Sequence, residues 1–275
     1  LVLDRMRKPA ENNRLEGLDL ARYLAFLGMV IVNFKIAMGA ERSEGFLGVM
    51  TSALEGRAAA TFVVLAGIGL GLAGVKGERQ TITVTLHRAV FLLAIGLLNM
   101  TIFDADILHY YAFYFLFGAL LLTSSSRVLV GVIFGLNVAF VAMVFLLDYE
   151  AGWNWGDFSY SGFWTPVGFV RNLFFNGWHP VIPWLGFLRF GIILSRLPLS
   201  EKSTQIRLVV FGVLAFFGVE SASAFLVTQL APIDADLASL VTTSPIPPMP
   251  LYMIAGLGAA SCVVGLCLLV ANTLN

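Results

Sequence analysis

Apolar residues fill this chain in long unbroken runs, and polar residues collect between the runs instead of alternating with them. A helix rises 1.5 Å per residue, so roughly 20 apolar residues cross the hydrocarbon of a bilayer. Eight stretches meet that requirement: 19–38, 57–75, 87–103, 107–124, 127–147, 180–197, 206–228 and 250–272. Glu55 and Arg57 crowd the start of the second, and 46–53 reads as a separate short helix before it. The longest connection, 148–179, is rich in Trp, Tyr, Phe, Gly and Asn. Within it PVGFVRNLFF at 166–175 predicts an interfacial helix, and Trp153, Trp155, Trp164 and Trp178 suit the headgroup level. A second loop, 229–249, ends in the proline-rich SPIPPMP. The pattern predicts an all-α, polytopic integral membrane bundle of about eight transmembrane helices, with 1–275 forming a single domain.

Composition turns that pattern into a statement about solvent. The chain is 58% hydrophobic and 12% charged, with a mean hydropathy of +0.85. A water-soluble globule carries about a quarter charged residues and cannot hide this much apolar surface, so the lipid bilayer is the first partner. Lys+Arg and Asp+Glu balance at 17 each, which argues against a nucleic-acid partner. Their placement is more telling. Arg5, Arg7, Lys8, Arg14, Lys76, Arg79, Arg88, Arg127, Arg196, Lys202 and Arg207 all fall on one side of an eight-span topology. Glu41, Glu44, Glu55, Asp104, Asp106, Asp148, Glu150, Asp157, Asp234 and Asp236 fall on the other. The Lys/Arg bias predicts both termini inside, and 148–179 as an extracytoplasmic loop. The first apolar run is long and lacks a small-residue cleavage pattern, so no cleavable signal peptide is expected. Cys262 and Cys267 lie in the last run, where a thiol acts as a small hydrophobe.

Charged and strongly polar groups near or inside spans are costly and mark candidate chemistry. Asp19 and Arg22 stand at i, i+3 in RLEGLDLAR: either they form an anchoring ion pair, or Arg22 with Arg14 or Arg88 grips an anionic cytosolic cofactor. Asn33 either bridges two helices or orients a substrate carbonyl or hydroxyl. Arg57 opens a helix where its charge opposes the dipole, which calls for a carboxylate partner or an anionic ligand. The small residues that follow, Ala66-Gly-Ile-Gly69-Leu-Gly71, favour close helix approach. Asp106 and His109 can do acid–base work, or Asp106 can cap the helix with His109 packed a turn later; no metal is expected. Pro180 suits a first helical turn, which puts His179 at an outer helix cap. Arg189 and Glu220 stand roughly 13 and 12 Å below the outer ends of successive spans at 1.5 Å per residue, and so predict a buried ion pair.

Five segments carry a family resemblance: RLEGLDLARYLAFLGMVIVNF at 14–34, GRAAATFVVLAGIGLGL at 56–72, DADILHYYAFYFLFG at 104–118, NGWHPVIPWLGFLRFGIILSRL at 176–197 and SPIPPMPLYMIAGLG at 244–258. Together they resemble the bacterial YeiB-like membrane family, related to heparan-α-glucosaminide N-acetyltransferase. The resemblance implies a transmembrane acyltransferase fold in a bacterial cytoplasmic (inner) membrane. It also implies transfer of an acyl group from cytosolic acetyl-CoA or another acyl-CoA to an extracytoplasmic hydroxyl or amine. Asn33 looks like the Asn on the relatives' first conserved helix. Relatives place a catalytic His shortly after it, whereas this chain has no His between 1 and 86. Relatives also continue with further C-terminal helices.

Three functions compete on this reading. In an acyltransferase, Arg14, Arg22 and Arg88 hold the donor, His179 or His109 with Asp106 activates the acceptor, and Asn33 and Arg57 stabilise the carbonyl. The chain can instead be a non-catalytic subunit of a larger membrane complex, or a homodimer. In a small-molecule or lipid transporter, Arg189 and Glu220 line a wet pathway.

Overall fold

The computed structural model describes residues 15–38, 45–156 and 158–274; Arg14, one of the expected donor contacts, lies outside them. Helices α1 (Glu16–Ala37), α2 (Gly45–Leu54), α3 (Arg57–Lys76) and α4 (Glu78–Asn99) come first. Then follow α5 (Leu108–Leu120) and α6 (Ser126–Leu146). The long loop holds a two-residue hairpin, β1 (Trp153–Asn154) and β2 (Ser159–Tyr160), and α7 (Pro166–Arg171). Helices α8 (Val181–Leu194), α9 (Lys202–Leu230), α10 (Ala235–Leu240) and α11 (Pro250–Leu274) complete the chain. The predicted interfacial helix is α7 running into a π-helical turn at Asn172–Asn176.

Each of the eight apolar runs forms a helix, but among the described residues six helices are long and apolar enough to cross a membrane. The other two, α5 and α8, have 13 and 14 residues, or about 20 Å at 1.5 Å per residue. Their physical situation explains the shortfall. A helix facing lipid must keep its backbone paired across the whole hydrocarbon, whereas one surrounded by protein can end early. Helix α8 is buried along nearly its whole length, and the buried face of α5 carries His109, Tyr110, Tyr111, Ala112 and Tyr114. The fourth helix begins nine residues before the predicted run, because ERQTITVTL at 78–86 is polar enough to lie outside hydrocarbon yet still helical.

Helix α3 sits at the centre, packed on α8, α11 and α1, while α9 lies along α11 and α4 along α5. The small-residue stripe of α3 makes its contact with α8 possible. A Cβ on Gly67 would overlap the carbonyl of Leu188, and one on Gly191 would overlap that of Val64. We expect Gly67→Val to cost about 1–3 kcal/mol or more. Thermal unfolding in detergent checks this, with Gly135→Val as control, since a Cβ on Gly135 meets nothing within 4 Å. Helix α1 lays Leu18, Ala21, Ala25 and Gly28 against this core and turns Tyr23, Phe26 and Phe34 outward. Exposed Phe91, Phe134, Phe145 and Phe217 continue that outward apolar surface, as lipid contact requires.

The predicted Arg189–Glu220 pair does not form. Helices α8 and α9 touch through Phe190 and Phe211, whose rings lie 6.5 Å apart, but α9 packs chiefly along α11. Glu220 instead pairs with Arg57 and accepts from Thr243 Oγ1 at 2.9 Å. Arg57 thus finds the carboxylate that its position at a helix N-terminus demanded. Arg189 is 2% exposed, and its Nη2 donates to the Phe117 carbonyl at 3.2 Å. Its Nε and Nη1 are enclosed without a partner among the described residues. The two residues therefore do not come together as the paired lining that the transporter reading expected.

Candidate functional site

Five helix ends meet at one end of the bundle, the C-terminus of α1 and the N-termini of α3, α5, α8 and α11, and Ser52 and Leu54 at the end of α2 join them. They enclose a cavity of about 380 Å³. Its wall includes Asn33 from α1, Gly56 at the start of α3 and Ile107 just before α5. Trp178, His179 and Trp184 come from the α8 region, and Ser244, Pro245 and Ile246 from the proline-rich segment. Each of the five sequence segments singled out above therefore contributes to one space. A partly apolar pocket with a few convergent polar groups is the usual form of a small-molecule site.

Local chemistry explains how each group is placed. Gly56 has φ +67° and its carbonyl accepts from Tyr252 Oη at 3.0 Å, while a Cβ there would strike Pro245 and Tyr252. That contact ties the start of α3 to α11. The His179 carbonyl accepts from Tyr114 Oη at 2.6 Å, and its ring meets Trp184 edge-on at 4.7 Å. Its Nδ1 is enclosed with no partner among the described residues. Asn33 is exposed, lines the cavity and makes no side-chain hydrogen bond among the described residues, so no helix-bridging bond accounts for it. Beside it Lys35 Nζ bonds Glu55 Oε1 at 2.6 Å, a pair across the cavity rim that neither residue alone announced.

Asp106 and His109 form a second polar centre directly behind this wall. Asp106 Oδ2 accepts from the His109 backbone N–H at 3.0 Å and lies 2.8 Å from His109 Nδ1. Its Oδ1 accepts from Asn99 Nδ2 at 2.9 Å. Asp106 is thus both cap and ring partner, as the alternative of a capped helix with His109 packed beside it expected. In the neutral ring the proton sits on Nδ1, leaving Nε2 as a buried acceptor without a described partner. His109 does not line the cavity, although its neighbour Ile107 does.

The other expected contacts lie elsewhere. Arg22 Nη1 bonds Asp19 at 2.6 Å, the anchoring pair that the spacing predicted. Arg88 is exposed on α4. Arg57 faces a different, apolar cleft and is engaged by Glu220 and Thr243. What sequence reasoning missed is the frame of the long loop over 148–179. Asn176 Nδ2 donates to the Tyr149 and Ala151 carbonyls at 2.8 and 2.9 Å, and its Oδ1 accepts from Tyr160 Oη at 2.8 Å. Asn172 Oδ1 accepts from Tyr110 Oη at 2.5 Å. Three of the four tryptophans expected at the headgroup level cluster, with Trp153 stacked on Trp155 at 4.4 Å and edge-on to Trp178 at 5.5 Å, while Trp164 is exposed.

Burial pushes the His179 imidazole down to about 3, with His109 acting in the same direction and Asp106 against it. Burial raises the Asp106 carboxyl, but its bonds from the His109 ring and backbone and from Asn99 outweigh that and hold it below the usual value. His179 is therefore neutral across the physiological range. Above about pH 6.5 the ring is neutral both folded and unfolded and adds no pH dependence. Below that, the unfolded chain takes up a proton that the folded ring refuses, so stability falls as pH drops from about 6.5 toward 3. Asp106 adds a loss of the same sign at more acid pH. Unfolding temperatures measured from pH 7.5 to 4.5 are expected to decline, and His179→Asn is expected to flatten the upper part of that decline.

A sequence model of the heparan-alpha-glucosaminide N-acetyltransferase catalytic family matches residues 14–240. No curated protein and no solved structure matches the chain. The match takes in four of the five segments whose residues wall the cavity, and the fifth, 244–258, lies just beyond it. With most of its length covered, and its apolar helices built for a bilayer, the chain belongs to the heparan-alpha-glucosaminide N-acetyltransferase catalytic family and is a membrane acetyltransferase-like protein.

Proposed function

We propose that this protein transfers an acyl group from cytosolic acyl-CoA to a hydroxyl or amine bound in the cavity beneath Trp178 and His179. The observation that carries this reading is the convergence of five sequence segments on that one space. The Lys/Arg bias puts the cavity on the outer side of a cytoplasmic membrane, with both termini inside and eight helices in the bundle. Arg22 and Arg88 then face the donor's phosphates at the inner end. Arg22 and Asn33 stand eleven residues apart on α1, about 16 Å at 1.5 Å per residue, so the donor's thioester must reach into the bundle to meet the acceptor.

His179 lines the cavity and its Nδ1 has no partner among the described residues, and so is free to accept the acceptor's proton as its oxygen or nitrogen attacks the thioester carbonyl. The carbonyl oxygen gains negative charge in that step, and Asn33 Nδ2 is the donor group facing it. Collapse of the tetrahedral intermediate breaks the carbon–sulfur bond, and the proton held by His179 passes to the departing thiolate. Asp106 and His109 support this step as a second, buried base behind the wall. The test is acyl-CoA-dependent modification of a panel of simple alcohols and amines by purified protein in nanodiscs, read by mass spectrometry. Transfer that falls about ten- to a thousand-fold in Asn33→Ala, with unchanged unfolding temperature, supports the reading. Equal turnover by Asn33→Ala removes Asn33 from it.

A further inference from the structure

A second hollow lies beside the candidate site and opens sideways. Helices α1 and α9 both rest on α11 yet stand apart from each other. Between them is a cleft of about 370 Å³. Its floor holds small residues, Ala25, Ala58 and Ala259, on three separate helices, while the missing Cβ of Gly212 lets α9 close on the α11 backbone at Gly258 and Cys262. Its flanks are Leu24, Val213 and Phe217, all exposed on the apolar outer surface. In a bilayer the cleft therefore faces hydrocarbon at mid-depth on α1, α9 and α11.

Leu54 and Ala58 line both this cleft and the polar cavity. A Cβ on Gly28 of α1 would stand 2.9 Å from the Ala58 Cβ and 3.5 Å from Leu54, so α1 packs closely on the corner that the two spaces share. At the same level Arg57 borders the cleft over the Phe216 ring at 5.4 Å. Two of its nitrogens are engaged by Ser52, Glu220 and Thr243, while its Nε has no partner among the described residues. Passing from cavity to cleft, a bound molecule would meet polar groups, then a guanidinium edge, then carbon.

We propose that the acyl acceptor is a lipid-anchored amphiphile, its hydroxyl or amine headgroup in the cavity at His179 and its alkyl chain in the cleft between α1 and α9. This rests on the acyl-transfer reading and names the class of its acceptor. The pantetheine arm of the donor is a poorer occupant, because its amides would have to leave water for a carbon-lined cleft. The single polar edge at Arg57 suits the oxygen that joins head to chain.

The test uses the full chain in nanodiscs and two readouts. Dodecylamine carrying a mid-chain diazirine is photolysed and its adducts are mapped by mass spectrometry. Adducts are expected on Leu24, Val213, Phe216, Phe217 and Cys262, and they are expected to be lost in Ala259→Phe, which fills the floor. Transfer to dodecylamine is then compared with transfer to methylamine. The ratio is expected to fall at least about ten-fold in Ala259→Phe and to hold in Phe134→Ala, a change on the outer face of α6. Adducts spread equally over Phe134 and Phe145, or a ratio untouched by Ala259→Phe, would overturn the proposal while leaving acyl transfer intact. So would a shift in the preferred donor chain length in place of the acceptor's. Cleft labelling without transfer to any acceptor would remove the acyl-transfer reading and keep the cleft as a lipid-chain site.

Discussion

His179→Ala is expected to lower acyl transfer by about 10²- to 10⁴-fold, the range set by losing a positioned proton acceptor. The bundle should survive the change. The ring is half-buried at the edge of the cavity, and its Nδ1 makes no bond that alanine would break. The bond that holds this segment comes from Tyr114 to the His179 backbone carbonyl, which alanine keeps. Turnover and unfolding temperature therefore separate: turnover collapses and the unfolding temperature holds. His109→Ala is expected to behave differently. It leaves Asp106 capped only by the backbone N–H and Asn99 and empties a fully buried position, so unfolding temperature falls together with activity. A pattern in which His109→Ala alone kills transfer, with stability intact, would move the base from the cavity wall to the buried pair.

The largest stability effect is expected at Arg57 and Glu220. Either single replacement, Arg57→Leu or Glu220→Leu, leaves one charge without its partner in a low-dielectric setting and is expected to cost about 3–5 kcal/mol. The double replacement removes both charges and is expected to recover most of that loss, since an apolar pair at this depth carries no desolvation penalty. Thermal or denaturant unfolding of the four proteins closes the cycle. Arg189→Leu provides the contrast. Arg189 has no carboxylate partner among the described residues and leaves two nitrogens enclosed and unbonded, so its removal should not repeat the Arg57 loss. A destabilisation by Arg189→Leu equal to that of Arg57→Leu, with no recovery in the double variant, would contradict this assignment of charges.

Helix positions were legible in the sequence because hydrocarbon demands long apolar runs, and all eight runs became helices. Helix lengths were less so, since α5 and α8 are covered by neighbouring helices and need not match the bilayer. Arg57's need for a carboxylate was readable from its place at a helix N-terminus. Its partner was not, because depth along a span says nothing about which helix stands beside which. Equal depth pointed to Arg189, and packing of α9 on α11 chose Arg57. The Asp19–Arg22 pair and the Asp106 cap were visible because both are local, three residues apart. The cavity was not, since its wall is assembled from five helix ends that only tertiary packing brings together. Asn172 and Asn176 carried no local signal, because their partners lie in the far parts of the same long loop and on α5.

The central claim is that the cavity at His179 receives an acyl group from a donor on the opposite side of the membrane. Sealed proteoliposomes with uniformly oriented protein test it directly, with labelled acyl-CoA confined to the side of the N-terminus and an amine or alcohol acceptor confined to the other. The account predicts acylated acceptor in the acceptor compartment, lost in His179→Ala. Product that forms only when donor and acceptor share a compartment, or that His179→Ala leaves undiminished, would contradict it.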